Sequence, residues 1–200
     1  MSKVRAIIFD YYGVLLANTH NQRLLKLWSD DPDKAEEFSA VNRAADRGIL
    51  TQEESRMRMA ELMGISYERL LREYADGEVP NEPLIEFIEK NLKPRYKIGL
   101  LSNSTGREQL DVRFAPGRLD RIFDVVVSSG EIGWIKPQPE AYEYAAMKLG
   151  VLPEECVMVD DVELYCQGAE DVGMHSVHFT LYDKAVADLS RLLDETSIKV

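Results

Sequence analysis

The stretch Val4-Arg5-Ala6-Ile7-Ile8-Phe9-Asp10-Tyr11-Tyr12-Gly13 decides how this chain is read. Its apolar run is too short for a typical helix and stops at a carboxylate, the pattern of a buried strand that opens onto a polar edge. Residues 97–101, 122–127, 156–159 and 176–179 repeat the pattern. Between the later runs the period becomes helical. Tyr142, Ala145, Ala146 and Leu149 share one face of residues 140–149, and Leu84, Ile88 and Leu92 form a stripe before the second run. Strands alternating with helices predict an α/β fold: a Rossmann-like parallel sheet, covered on both faces through right-handed crossovers.

One segment departs from the alternation. Residues 17–82 show helical pieces and no strand pattern, with one stripe at Leu24, Leu27 and Trp28 and another at Tyr67, Leu70, Leu71 and Tyr74. Thr51 with Glu54 fits a capping box that starts a helix after a turn at Gly48. The expectation is a small all-helical cap at 17–82, its core filled by Met57, Met59 and Met63, inserted into a catalytic core made of 1–16 and 83–200.

Composition narrows the partners. Twenty-four Lys and Arg against 35 Asp and Glu give a net charge of -11, which repels nucleic-acid backbones and anionic membranes. An anionic substrate must then be met by locally placed cations. No apolar run approaches the about 20 residues needed to span a bilayer, and the first residues read as a strand and not as a signal peptide. A cytoplasmic protein is the expectation. Cys156 and Cys166 have neither metal-ligand nor redox spacing and read as buried, reduced thiols. Oligomeric state is not legible.

The polar residues at the strand ends carry the chemistry. The first strand stops at Asp10, the second at Ser102-Asn103, and the fourth at Asp160-Asp161, while the third leads through Ser128 and Ser129 into a loop bearing Lys136. Each of these alone reads as a turn former or a helix cap. In an open α/β sheet, however, ligands bind at the carboxyl ends of the strands, so neighbouring strands would bring all four groups into one crevice. Asp10, Asp160 and Asp161 against Lys136 leave a negative excess that a divalent ion would cancel. Carboxylate oxygens, with no His or Cys cluster as a softer alternative, suit magnesium (Mg2+) better than zinc. The residues point to a magnesium-assisted site for an anionic group.

Taken in order, Asp10-Tyr-Tyr-Gly13, Leu101-Ser102-Asn103, Gly133-Trp-Ile-Lys136-Pro-Gln-Pro-Glu-Ala-Tyr142 and Val159-Asp160-Asp161 resemble the four motifs of the haloacid dehalogenase superfamily. The insertion, including Arg47-Gly48-Ile49-Leu50-Thr51, is similar to that family's small helical cap. The resemblance implies that Asp10 is a nucleophile forming a covalent aspartyl intermediate. It implies magnesium between Asp10, Asp160 and the backbone carbonyl of Tyr12, with Asp161 close by. Ser102 and the Asn103 backbone amide would hold the transferring group, and Lys136 would neutralise charge on the nucleophile and transition state. The implied substrate is a small phosphorylated metabolite, since a cap of this size closes over a small ligand.

Position 12 departs from the family's phosphatases, which carry there a second Asp serving as general acid and base. Tyr12 is a poor base at neutral pH. Three readings stay open: a phosphatase working without that Asp, a 2-haloacid dehalogenase, whose family members have Tyr here, and a non-catalytic member that binds a phosphorylated ligand or a partner. The intact Asp160-Asp161 pair weighs against the dehalogenase, and Tyr165 stands where many relatives have Asn. Arg43 and Arg47 read as a solvated ion-pair face, Trp134 as packing, and His175 and His178 as structural residues away from the active edge. His20 starts the cap, where it could face substrate.

Overall fold

The computed structural model describes residues 3–18, 29 and 31–197. Its main sheet contains β1 (Ala6–Phe9), β4 (Lys97–Ser102), β5 (Val125–Ser128), β6 (Cys156–Asp160) and β7 (His175–His178). The order is β5-β4-β1-β6-β7 and every pairing is parallel. The α/β Rossmann-like architecture read from the sequence is therefore present. β1 lies at the centre: the chain builds outward on one side through β4 and β5, then returns to build β6 and β7 on the other. The crevice beyond the C-terminal end of β1 is thus a topological switch point, and Asp10 stands there.

Period-two alternation sorts the strand residues into two buried layers. Ile7, Phe9, Ile98, Leu100, Val157 and Val159 pack on one face, together with Leu84, Ile88 and Leu92 from the helix before β4. Ala6, Ile8, Leu101, Cys156 and Met158 pack on the other, beneath Tyr142, Ala145, Ala146 and Leu149 of the helix Pro139–Leu149. Both faces being covered is why these strands read as continuous apolar runs. Cys156 and Cys166 are free and buried, as the sequence suggested. Among the described residues, no helix is long and apolar enough to cross a membrane.

Two boundaries differ from the sequence reading. The third strand starts at Val125 and not at 122, because Arg118–Ile122 closes a short helix first. Residues 17–82 do include strand: β2 (Leu16–Asn18) and β3 (Glu78–Pro80) pair antiparallel where the chain leaves and re-enters the core. Three residues each are too few to show alternation. Asn81 then clips the return, its N–H donating to the Leu15 carbonyl and its side-chain amide to the Val14 carbonyl.

Between these strands lie α1 (Pro32–Asp46), α2 (Gln52–Met63) and α3 (Tyr67–Gly77). The Thr51–Glu54 capping box is formed. The three helices bury a small core of their own around Phe38, Val41, Met59 and Leu70. Met63 packs against it, whereas Met57 faces solvent. The stripe at Leu24, Leu27 and Trp28, and also His20, lie outside the described residues.

Leu100 is fully buried in β4, beside the central strand. Leu100→Ala is expected to lower stability by about 2–5 kcal/mol through lost burial and a residual cavity. Urea unfolding followed by circular dichroism checks this, and an unchanged midpoint would mean that this layer is not packed as described.

Candidate active site

Parallel register brings the polar strand ends together. The backbone N–H of Asp10 donates to the Val159 carbonyl (2.9 Å), extending the ladder past β1 and setting Asp10 beside Asp160, the last residue of β6. Asp161 follows directly. Ligand oxygens of Asp10, Asp160 and Asp161 lie within 4.8 Å of one another. The ammonium of Lys136 reaches under this group and donates to Asp10 Oδ1 (2.5 Å) and Asp160 Oδ2 (2.6 Å).

Asn103 explains how a loop lysine is held so firmly. Its side-chain oxygen accepts the Lys136 backbone N–H (2.8 Å), and its Nδ2 donates to the Lys136 carbonyl (3.1 Å). The side chain of Asn103 therefore anchors the lysine, a role the sequence reading did not assign. The same Nδ2 faces the Tyr165 hydroxyl at 3.4 Å, and the Lys136 ammonium lies 5.0 Å from the Tyr165 ring centroid. Ser102 ends β4 fully buried, and its hydroxyl has no hydrogen-bond partner among the described residues. A buried hydroxyl in that state has unused hydrogen-bonding capacity.

Gly13 is required twice over. Its φ is +88°, and a Cβ there would lie 2.1 Å from Asp161 Oδ2. On the far side, a ring nitrogen of His178 lies 3.0 Å from the Asp161 carbonyl oxygen. His178 thus abuts the active edge, contrary to the sequence expectation, because β7 runs parallel to β6 with His178 opposite Asp160. Its contact is nevertheless to backbone. Trp134 is exposed, with its ring centroid 6.3 Å from that of Tyr144, and Arg43 pairs with Glu36 (2.5 Å).

The electrostatics follow from burial. Desolvation pushes the Asp10 carboxyl up to about 8; Lys136 opposes this, and Asp160 and Asp161 add to it. Burial, then the Asp160 charge, raises Asp161 to about 6. Burial alone would favour a neutral Lys136, but Asp10 and Asp160 overcome it and hold the ammonium charged. Burial, then Glu78, pushes the Tyr12 phenol well above the ordinary tyrosine value, and its hydroxyl oxygen accepts from Gln109 Nε2 (2.7 Å).

A cavity of about 440 Å³ opens over Asp10 and Asp161, roofed by α1 and α2 through residues such as Asn42, Asp46, Gln52 and Arg56. Gln109 and Asp46 were not singled out from sequence. Gln109 gave no signal, being a polar residue of a short helix. Asp46 had one, its position two residues before the Gly48 turn.

Removing Lys136 would leave two buried carboxylates without a counter-charge. Lys136→Met is expected to lower stability by about 3–5 kcal/mol in metal-free buffer. Chemical denaturation tests it, and full retention of stability would show that the lysine does not hold the pair together.

Comparison with known proteins places this geometry. The chain is 29% identical to a pyrophosphatase PpaX of Bacillus cereus (strain AH820) over 138 residues, covering 66% of this chain and 63% of that relative, so the match spans less than two thirds of that protein. A second PpaX, from Bacillus cereus (strain Q1), is 24% identical across 98% of this chain and 94% of its own. Among solved structures, a predicted HAD-like family hydrolase from Porphyromonas gingivalis superposes with a TM-score of 0.74 at 26% identity, covering 96% of this chain and 98% of that one. A HAD family enzyme from Bacteroides thetaiotaomicron, in complex with magnesium and inorganic phosphate, superposes with a TM-score of 0.70 at 21% identity over 90% and 94% of the two chains. The family model for haloacid dehalogenase-like hydrolases matches residues 4–173, and this chain belongs to that family of hydrolases.

Proposed function

We propose that this hydrolase is a magnesium-dependent phosphatase acting on a small phosphorylated metabolite, with Asp10 as its nucleophile. The observation that carries the reading is the clustering of Asp10, Asp160 and Asp161 within 4.8 Å over the buried ammonium of Lys136. Three carboxylates against one lysine leave a formal excess of two negative charges, which a divalent cation cancels. The donors are hard oxygens, which fits magnesium.

Asp10, Asp160 and the Tyr12 backbone carbonyl would hold the ion, with Asp161 alongside. When bound, it supplies charge neutralisation for phosphate oxygens and for the nucleophile. Asp10 attacks phosphorus, the bond to the leaving oxygen breaks, and an aspartyl-phosphate forms that water then hydrolyses to free phosphate. The unpartnered Ser102 hydroxyl donates to a phosphate oxygen, with the Asn103 backbone amide beside it. Lys136 stabilises the charge that develops in transfer.

The helical insertion acts as a cap, residues 17–82, that shields this chemistry from water. Ser39, Asn42, Gln52, Ser55 and Arg56 line the cavity, and they favour a compact polar substrate over an apolar one. The curated relatives' pyrophosphatase name agrees with phosphoryl transfer. Tyr12 favours a second reading, a 2-haloacid dehalogenase, but its anionic substrate would be repelled by three carboxylates without a metal.

Phosphate release from a generic aryl phosphate, with and without magnesium, tests the proposal. Turnover is expected with magnesium, to vanish on chelation, and to vanish in Asp10→Asn. Halide release from a 2-haloacid that ignores the chelator would instead establish the dehalogenase, and no turnover of either substrate would sink both.

A further inference from the structure

Tyr12 is a poor base at neutral pH and burial pushes its phenol higher still, so the leaving oxygen and the attacking water lack at that position the carboxylate that the family's phosphatases carry. Acid–base help of this kind is typically worth about 10²–10⁴-fold. A replacement must come from the groups that line the cavity.

Asp46 meets the requirements. It is the last residue of α1 and lines the same cavity as Asp10 and Asn103. Among the described residues its carboxyl has no hydrogen-bond or ion-pair partner, unlike Glu78, which is paired with Arg113 at 2.8 Å. Asp46 is partly buried and shares the cavity lining with Tyr165, within range of the Lys136 charge.

The backbone around it is held against the core. Ser129 Oγ donates to the Asp46 carbonyl (2.5 Å), and Ser129 is itself fixed by the Ser104 N–H (3.0 Å). Two residues on, Gly48 adopts φ +70° and approaches so closely that a Cβ would sit 2.8 Å from the Gly130 carbonyl oxygen. Asp46 thus stands at the point where the insertion docks on the strand ends. Burial, opposed by Lys136, lifts its carboxyl to about 7, where both protonation states are populated near neutrality.

We propose that Asp46 is the general acid and base of this site, supplied by the cap in place of the carboxylate that position 12 lacks. The inference rests on the phosphatase reading. In the first step Asp10 bonds to phosphorus, the phosphorus–oxygen bond to the leaving group breaks, and protonated Asp46 gives its proton to the departing oxygen. In the second, the Asp46 carboxylate takes a proton from water as its oxygen attacks phosphorus. The bond to Asp10 breaks, phosphate leaves, and both side chains return to their starting states.

Asp46→Asn preserves shape and the backbone contact to Ser129, and its melting temperature verifies folding. The decisive readout is kcat/KM for two magnesium-supported substrates: an alkyl phosphate, whose leaving oxygen needs a proton, and 2,4-dinitrophenyl phosphate, whose leaving group does not. The expected loss is about 100-fold or more for the alkyl ester, with only a small loss for the aryl ester and a pre-steady-state burst of dinitrophenol as the second step slows. Equal losses on both esters, or no loss on either, would overturn the assignment while leaving the phosphatase reading intact. Absence of magnesium-dependent turnover in the unaltered protein would overturn both.

Discussion

The ammonium of Lys136 is wholly enclosed, 2.5 Å from one Asp10 oxygen and 2.6 Å from one Asp160 oxygen. Two buried carboxylates on adjacent parallel strands repel each other and lose their hydration, and the arrangement survives only with a counter-charge in contact with both. Much of the surrounding structure serves that contact. Asn103 clamps the lysine backbone, Gly13 admits Asp161 where a side chain would collide, and His178 meets the carbonyl of Asp161 from the next strand. The lysine leaves part of the negative charge of Asp10, Asp160 and Asp161 unmatched, and the proposed magnesium would offset that remainder.

The sheet order sets this local demand in an open crevice. β1 is central, and the connections leave it in opposite directions, so no crossover covers the end of the strand that bears Asp10. The polar loops of four strands converge there. The seryl cluster at the ends of β4 and β5 joins Ser104 and Ser128 (2.8 Å) and, through Ser129, reaches the end of α1. The rim of the core and the roof of the cavity are thereby one hydrogen-bonded unit.

Much of this was legible from the chain. The apolar runs ending at Asp10, Ser102 and Asp160 were visible because both faces of a parallel sheet are buried, which makes a strand a short block of apolar residues with a polar residue at its end. The Thr51 cap was visible because its logic is confined to four residues. What stayed hidden had no local signature. The ribbon of β2 and β3 pairs residues 60 to 64 positions apart and is too brief for periodicity, and the start of β5 was blurred by the apolar Ile122 and Phe123 that end the short helix before it.

The sequence by itself determined the fold class, the family and the carboxylates and lysine of the crevice, since these follow from periodicity and from motifs whose members lie a few residues apart. Tertiary structure alone decided what those residues face. That Asn103 holds a lysine 33 residues away, that Gln109 occupies the hydroxyl of Tyr12, and that Asp46 lines the same cavity as Asp10 are consequences of chain crossing and docking. Such contacts depend on where separate elements come to rest against one another, which local spacing along a chain does not encode.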